Sequence, residues 1–165
     1  MTLPPWAIVT PDRRAHIERV ASLLGAWATA LGIAGTERAR WLRAAWLHDA
    51  LRDAPAANSL AHGPMATERA AQDGETDRGV LDAVRYHSLG YARWDDVGKM
   101  LYLADYLEPG RSFDRELRQS LTARVPAERD DVLQQVAARR IKWVIDSRWP
   151  LVQETVDFWN ALVAR

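Results

Sequence analysis

The stretch Met100–Leu107, with the sequence MLYLADYL, places a single carboxylate in an otherwise apolar and aromatic segment. A helix that is apolar on all sides is expected to be buried. A buried carboxylate is costly unless it is paired, hydrogen-bonded or bound to a metal. Asp105 therefore has two interpretations, an ion pair with one of the many arginines or a metal ligand, and the segment alone favours the ion pair.

Helical periodicity extends outward from this stretch, and no window shows convincing strand alternation. Thr10-Pro11 predicts the start of a first helix, because Thr is a common N-cap and Pro is favoured at the next position. Further helices are predicted near residues 36–51, 64–72, 77–87, 97–107, 112–123, 127–147 and 150–164. The fold class is therefore all-α, and without repeats or linkers we expect one compact helical domain over residues 1–165.

Composition narrows the classes of function. The chain has 165 residues, 48% hydrophobic and 27% charged, which is typical of a globular domain. With no membrane-length apolar stretch and no secretion signal, we expect no membrane partner and a cytoplasmic location. The absence of cysteine excludes disulfides and thiolate metal sites. A formal net charge of zero argues against nonspecific nucleic-acid binding, and we expect no specific nucleic-acid partner.

Several other polar residues lie on apolar helix faces or at helix ends. Each histidine alone is more typical of a core or surface residue than of a ligand. Together, six donors from five segments predict a metal site built by side chains that project inward from several helices. Imidazole and carboxylate ligands suit Fe, Mn, Co, Ni or Zn. The candidate ligands are His16, His48, Asp49, His62, His87 and Asp105.

Three stretches resemble a known family: LHDALR at residues 47–52, AVRYHSLG at 83–90 and KMLYLADYLEPGR at 99–111. With the order His16, His48-Asp49 and Asp105, they resemble the H…HD…D pattern of the HD-domain phosphohydrolases. The similarity is closest to the YqeK-type symmetrical bis(5'-nucleosyl)-tetraphosphatases and covers about residues 10–125. The C-terminal helices, residues 126–165, are expected to pack on this HD domain.

The resemblance implies an HD-domain helical bundle with two divalent metal ions, Fe foremost, in its core. One metal would take His16, His48, Asp49 and Asp105. The other would take His62, His87 and a bridging oxygen of Asp49. The implied enzyme cleaves diadenosine tetraphosphate symmetrically to two ADP through a metal-bridging hydroxide.

A polyphosphate substrate needs positive charge beyond that of the metals. The candidates are Arg52, Lys99 and Arg111, with Arg52 and Lys99 also assigned to catalysis, and Ser88 and Gly90 are expected to shape the same pocket. The alternative for Arg111 is a solvated helix face. Among the tryptophans, helical spacing predicts core positions for Trp27 and Trp143, whereas Trp94 is the best candidate for stacking on a base.

Other functions remain open at this point. A different HD hydrolase could act on a nucleoside monophosphate or on guanosine tetraphosphate, but mononuclear nucleotidases lack the pair His62 and His87. A noncatalytic nucleotide-binding module would be expected to have lost ligands. A helical structural protein would hold its histidines incidentally. The apolar C-terminal helices are consistent with a homodimer and equally with an ordinary core.

Overall fold

The structure, a computed structural model of the chain, describes residues 2–164. Over that range it contains seven helices and no β-strand, which confirms the all-α class. The helices are α1 Pro11–Ala30, α2 Gly35–Leu47, α3 His62–Gln72, α4 Arg78–Tyr86, α5 Asp96–Leu107, α6 Arg115–Asp146 and α7 Gln153–Val163. Among these residues no helix has the length and apolar character needed to cross a bilayer.

Side-chain caps set the starts of three helices. The side chains of Thr10, Asp77 and Asp95 accept hydrogen bonds of 3.3, 3.1 and 3.0 Å from backbone amides in the first turns of α1, α4 and α5. Each cap satisfies an N–H group that has no partner within the helix. The caps therefore fix where α1 and α5, which carry two of the candidate ligands, begin.

Helix α5 lies at the centre of the bundle and contacts α1, α2, α4 and α6. Met100, Leu101 and Leu103 are completely buried, as the apolar composition of this stretch predicts. Asp105, which lies among these apolar residues, is only 7% exposed. The segment 100–107, which carries Asp105, therefore lies in the core of the fold.

Besides shifts of one to three residues at other helix ends, two features differ from the sequence prediction. Helix α2 ends at Leu47, so His48 and Asp49 lie in the turn that follows it, and the amide of Arg52 donates to the carbonyl of Asp49 at 3.0 Å within that turn. The two helices predicted near residues 112–123 and 127–147 form the single helix α6. It is kinked at Glu128, two residues after Pro126 in the helix interior. Buried side chains on both sides of the kink keep both halves of α6 on the core.

The tryptophan predictions were partly wrong. Trp27 is buried as expected, but Trp143 is 57% exposed. The buried residues of α6 end at Ala137, so its last turns extend beyond the core. Trp94 is 5% exposed and packs edge-on against Phe158, which leaves it no open face for a base.

Candidate metal centre

All six candidate ligands converge at one place in the structure. His16 lies within α1, Asp105 within α5, and His62 is the first residue of α3, while His48 with Asp49 follows α2 and His87 follows α4. Each is at most 7% exposed. The structure therefore brings together every residue that the sequence predicted as a metal ligand.

The ligands form two groups of three. One contains His16, His48 and Asp105, and the other contains Asp49, His62 and His87. Within each group, one nitrogen or oxygen atom from every residue lies within 4.8 Å of the others. Such a mixed imidazole and carboxylate set fits a divalent first-row metal.

Asp49 lies between the two groups and presents one oxygen to each. Its Oδ2 is 3.7 and 3.8 Å from the Nε2 atoms of His16 and His48. Its Oδ1 is 3.2 and 3.3 Å from the Nε2 atoms of His62 and His87. Asp49 therefore has a carboxylate oxygen near the histidines of both groups.

The opposite ring nitrogens of the histidines are all engaged. The Nδ1 atoms of His48, His62 and His87 lie 2.7, 2.8 and 2.7 Å from the backbone carbonyl three residues earlier. Nδ1 of His16 lies 3.1 Å from Oε1 of Glu108. Because a carbonyl or carboxylate oxygen only accepts, Nδ1 carries the hydrogen in each ring, and Nε2 is the nitrogen that faces the centre. Partners of this kind fix the orientation of histidine ligands.

Close packing of α3 against α4 brings His62 to His87, whose Nε2 atoms are 3.0 Å apart. Between them Gly63 lies so near the end of α4 that a Cβ there would be 2.7 Å from the carbonyl oxygen of Arg85. A side chain at this position would force the two helices apart. In the sequence His62-Gly63-Pro64, His62 is a candidate ligand and Gly63 allows α3 to lie close to α4. Pro64 is favourable in the first turn of a helix.

Burial and neighbouring groups act in opposite directions on the carboxylates. Burial by itself would raise the pKa of Asp49, but the surrounding histidines, His48 first, hold it well below its ordinary value. Burial would likewise raise the pKa of Asp105, and a hydrogen bond from His16 with two nearby arginines lowers it well below that value. Burial also lowers the pKa of His48 to about 4. Anionic carboxylates and a neutral imidazole are the forms that bind a cation.

Three guanidinium groups contact the two aspartates. Arg13 donates to Oδ2 of Asp49 at 2.7 Å. Arg111 and Arg140 donate to Oδ1 and Oδ2 of Asp105 at 3.0 and 2.7 Å. They concentrate positive charge next to the ligands, where it can also bind phosphate oxygens.

A cavity of about 610 Å³ opens above this centre. Its lining includes four ligands, Asp49, His62, His87 and Asp105, together with Arg13, Arg52, Ser88, Arg111 and Arg140. The predicted substrate residues Arg52, Ser88 and Arg111 are thus placed beside the centre. Arg52 also donates to the carbonyl of Ser59 at 2.8 Å and so supports the loop that precedes His62.

The structure does not bring the other two predicted substrate residues to this cavity. Lys99 lies on α5, six residues before Asp105, and does not line the cavity above the centre. Gly90 has a φ of +90°, and a Cβ there would lie 2.2 Å from the ring of Phe158. Gly90 therefore serves the turn after α4 and its packing, and a substrate role for either residue stays a prediction.

Sequence reasoning missed three residues at the centre: Arg13, Glu108 and Arg140. Glu108 is 1% exposed and accepts from Arg19 and from the amide of Gly110, besides its contact with His16. Its position in the stretch 99–111, the most specific part of the motif pattern, was the available signal. Arg140 had no local signal, because it meets Asp105 across 35 residues of sequence.

A family model described as "HD domain" matches residues 13–110, more than half of the chain. The chain belongs to the HD-domain family. All six candidate ligands of this HD domain lie within the matched range, and the family predicted from the motifs is confirmed. The extension of the domain to residues 1–165 stays a prediction.

Three curated relatives are named symmetrical bis(5'-nucleosyl)-tetraphosphatase. The protein from Staphylococcus aureus is 25% identical over 104 residues, which cover 62% of this chain and 54% of that protein. The one from Halalkalibacterium halodurans is 23% identical over 107 residues, covering 64% and 56%. The one from Bacillus subtilis is 38% identical over 55 residues, covering 33% and 30%. The matches with the first two span about half the length of those relatives.

A solved structure shares the fold of this HD domain over nearly its full length. It is the crystal structure of a predicted HD superfamily hydrolase involved in NAD metabolism from Clostridium acetobutylicum, with a TM-score of 0.81 and 22% identity. The match covers 95% of this chain and 92% of that one. The likeness therefore includes helices α6 and α7, which lie beyond the range matched by the family model.

Proposed function

We propose that this HD domain is a metal-dependent phosphohydrolase that cleaves diadenosine tetraphosphate symmetrically into two ADP. The observation that carries the proposal is the position of Asp49, with one oxygen towards each of two buried ligand groups. Metal pairs that share a ligand are a common device of enzymes that hydrolyse phosphate esters and anhydrides. The names of the three curated relatives support the choice of substrate.

In this proposal each ligand group holds one divalent cation. His16, His48 and Asp105 would hold one together with Asp49, and His62 and His87 would hold the other, also with Asp49. When bound, such cations polarise phosphoryl oxygens and lower the pKa of water enough to supply a nucleophile at neutral pH. Iron is the proposed metal, and Mn, Co, Ni and Zn also suit these donors.

The arginines complete the site by binding the phosphate chain. Arg52, Arg111 and Arg140 line the cavity from different segments and can donate charge-assisted hydrogen bonds to phosphate oxygens. The guanidinium carbon of Arg140 lies 4.3 Å from the ring centroid of Tyr102, which fixes the plane of its donors. These side chains orient the substrate and balance the charge that accumulates on it during phosphoryl transfer.

The direct test is a product analysis with purified protein, diadenosine tetraphosphate and added Fe(II), Mn(II) or Co(II). We expect ADP as the only nucleotide product. AMP together with ATP would contradict symmetrical cleavage. Metal binding without turnover would instead favour a nucleotide-binding module, and faster turnover of a nucleoside monophosphate or guanosine tetraphosphate would assign the chain to another class of HD hydrolase.

A further inference from the structure

The cavity above the metal centre adjoins a second cavity of about 750 Å³ near the C-terminal end of α6. Both cavities are lined by Ser88, Arg111, Arg140, Trp143 and Val144. The two arginines that contact Asp105 therefore stand at the boundary between the cavities. A molecule bound at the metal centre can extend past them on either side.

Exposed aromatic rings form part of the second cavity. Phe113 and Trp143 line it, and they are 47% and 57% exposed. Phe113 is held by the guanidinium of Arg118, 4.7 Å from its centroid, and Trp143 packs edge-on against Trp149 with centroids 5.0 Å apart. Both rings are thus supported from within the protein while a large part of each stays accessible. Rings of this kind are stacking platforms for nucleobases.

The charged residues of the second cavity are mainly basic. Arg111, Arg139, Arg140 and Lys142 face Asp114 and Asp146, and Lys142 pairs with Asp146 at 2.7 Å. The other basic residues are arginines, and two of the three, Arg111 and Arg140, contact Asp105 at the boundary with the metal centre. The arginines at the boundary can bind phosphate groups, and the aromatic rings beyond them can stack on a base. This arrangement matches a nucleotide.

We propose that the second cavity binds one nucleoside of a dinucleoside polyphosphate, with its base on Phe113 or Trp143, while the first cavity holds the other nucleoside. This inference rests on the proposed function. It assigns a binding site to the second nucleoside of the substrate, for which the first cavity alone does not account. With a nucleoside on either side of Arg111 and Arg140, the middle of the phosphate chain lies at the metal centre. Phe113 and Trp143 lie outside the range 13–110 that the family model matches.

The test compares the affinities of diadenosine tetraphosphate and adenosine 5'-tetraphosphate, which lacks the second nucleoside. Calorimetry on the metal-loaded protein, with methylene-bridged analogues of both compounds that resist hydrolysis, measures both affinities without turnover. Because base stacking is worth about 1–3 kcal/mol, we expect Phe113→Ala and Trp143→Ala each to reduce the preference for the dinucleotide by about fivefold or more. The matched control is Ile145→Ala, which alters a 57% exposed residue of α6 that lines neither cavity and should leave the preference unchanged.

An unchanged preference in both variants would overturn the inference. It would also be overturned if Trp143→Ala changed the mass of the particle in solution without changing the preference, because Trp143 would then serve a contact between copies of the chain. The proposed function is judged separately, by the products of the wild-type protein with added metal. Symmetrical cleavage without any effect of these variants on the preference would leave the enzyme assignment standing and remove only the second nucleoside site.

Discussion

Arg140 donates a hydrogen bond of 2.7 Å to Oδ2 of Asp105 and another of 3.2 Å to the carbonyl of His87. Its side chain is 19% exposed and stacks over Tyr102. One residue of α6 thus connects α5 with the end of α4 at the metal centre. The contact uses both the charge and the planar shape of the guanidinium group, so lysine is not an equivalent replacement.

We expect Arg140→Lys to lower kcat/KM for diadenosine tetraphosphate by about tenfold or more, since a charge-assisted hydrogen bond contributes about 1.5–3 kcal/mol. Arg140→Ala should lower it further. Steady-state kinetics measure the effect, and metal analysis shows whether ligands are retained. Arg124→Ala is the control, because Arg124 pairs with Glu128 at the surface and does not line the cavity above the metal centre. Full activity of Arg140→Lys would contradict this role.

Alanine variants of Asp49 and His62 should differ in how many metal ions they retain. Asp49→Ala removes the residue that faces both ligand groups, so we expect both metals to bind weakly and turnover to be abolished. His62→Ala removes a ligand from one group only, so the variant should retain about one metal per chain. Elemental analysis after dialysis against metal-free buffer measures the stoichiometry. Equal metal content in the two variants would refute the bridging position of Asp49.

The convergence of the candidate ligands could be predicted because they lie in short motifs with a definite helical register. His48 and Asp49 follow an apolar stripe, and Asp105 is the one carboxylate of the apolar stretch 100–107. The predicted helix near residues 64–72 likewise placed the start of α3 within two residues of its position in the structure.

The surroundings of the centre could not be predicted in the same way. Arg140 belongs to a helix that shows no motif, and its partner is chosen by the packing of α6 on α5. Trp143 continues a helical stripe that would be buried if the core extended further, so periodicity alone assigns it wrongly to the core. The partner of Arg140 depends on long-range packing, and the exposure of Trp143 depends on where the core ends. Both are three-dimensional properties, so sequence patterns missed both residues.

Glu108 is a positioning residue for His16. Burial would raise the pKa of its carboxyl, but hydrogen bonds from His16 and Arg19 hold it down at about 2, so Glu108 is anionic. We expect Glu108→Ala to weaken metal binding by about 10–100-fold, the usual effect of losing a partner behind a histidine ligand. Glu108→Gln should have a smaller effect because it retains one acceptor for Nδ1. Competition with a chelator measures the affinity, and unchanged affinity in both variants would contradict the positioning role.

Lys99 and Arg111 allow the motif-based assignment to be compared with the geometry. Both were predicted to bind phosphate, but Arg111 lies at the cavity and Lys99 does not. The motif predicts a raised KM for both alanine variants, and we expect the larger rise for Arg111→Ala because it donates beside the metal ligands. The measurement is KM for diadenosine tetraphosphate at saturating metal. An unchanged KM in Lys99→Ala would remove that residue from the site.

Asp77 provides a test of pH-dependent stability away from the metal ligands. Its oxygens accept from Nε and Nη2 of Arg40 at 2.7 and 3.0 Å, and this contact lowers the pKa of Asp77. Because the unfolded chain then binds a proton at higher pH than the folded one, the ion pair stabilises the fold above the ordinary Asp pKa of about 3.9. That stabilisation is lost as the pH falls through the lower pKa of Asp77 in the folded protein.

Asp77→Asn retains an oxygen that can cap α4 but loses the charge. We therefore expect the free energy of unfolding to fall by about 0.5–1 kcal/mol at neutral pH, and this difference to disappear towards pH ~3. Urea unfolding across this range measures the difference, with Asp82→Asn as the control because its partner Arg78 is 84% exposed and 3.7 Å away. A destabilisation of the same size at both ends of the range would show that the charge of Asp77 is not what stabilises the contact.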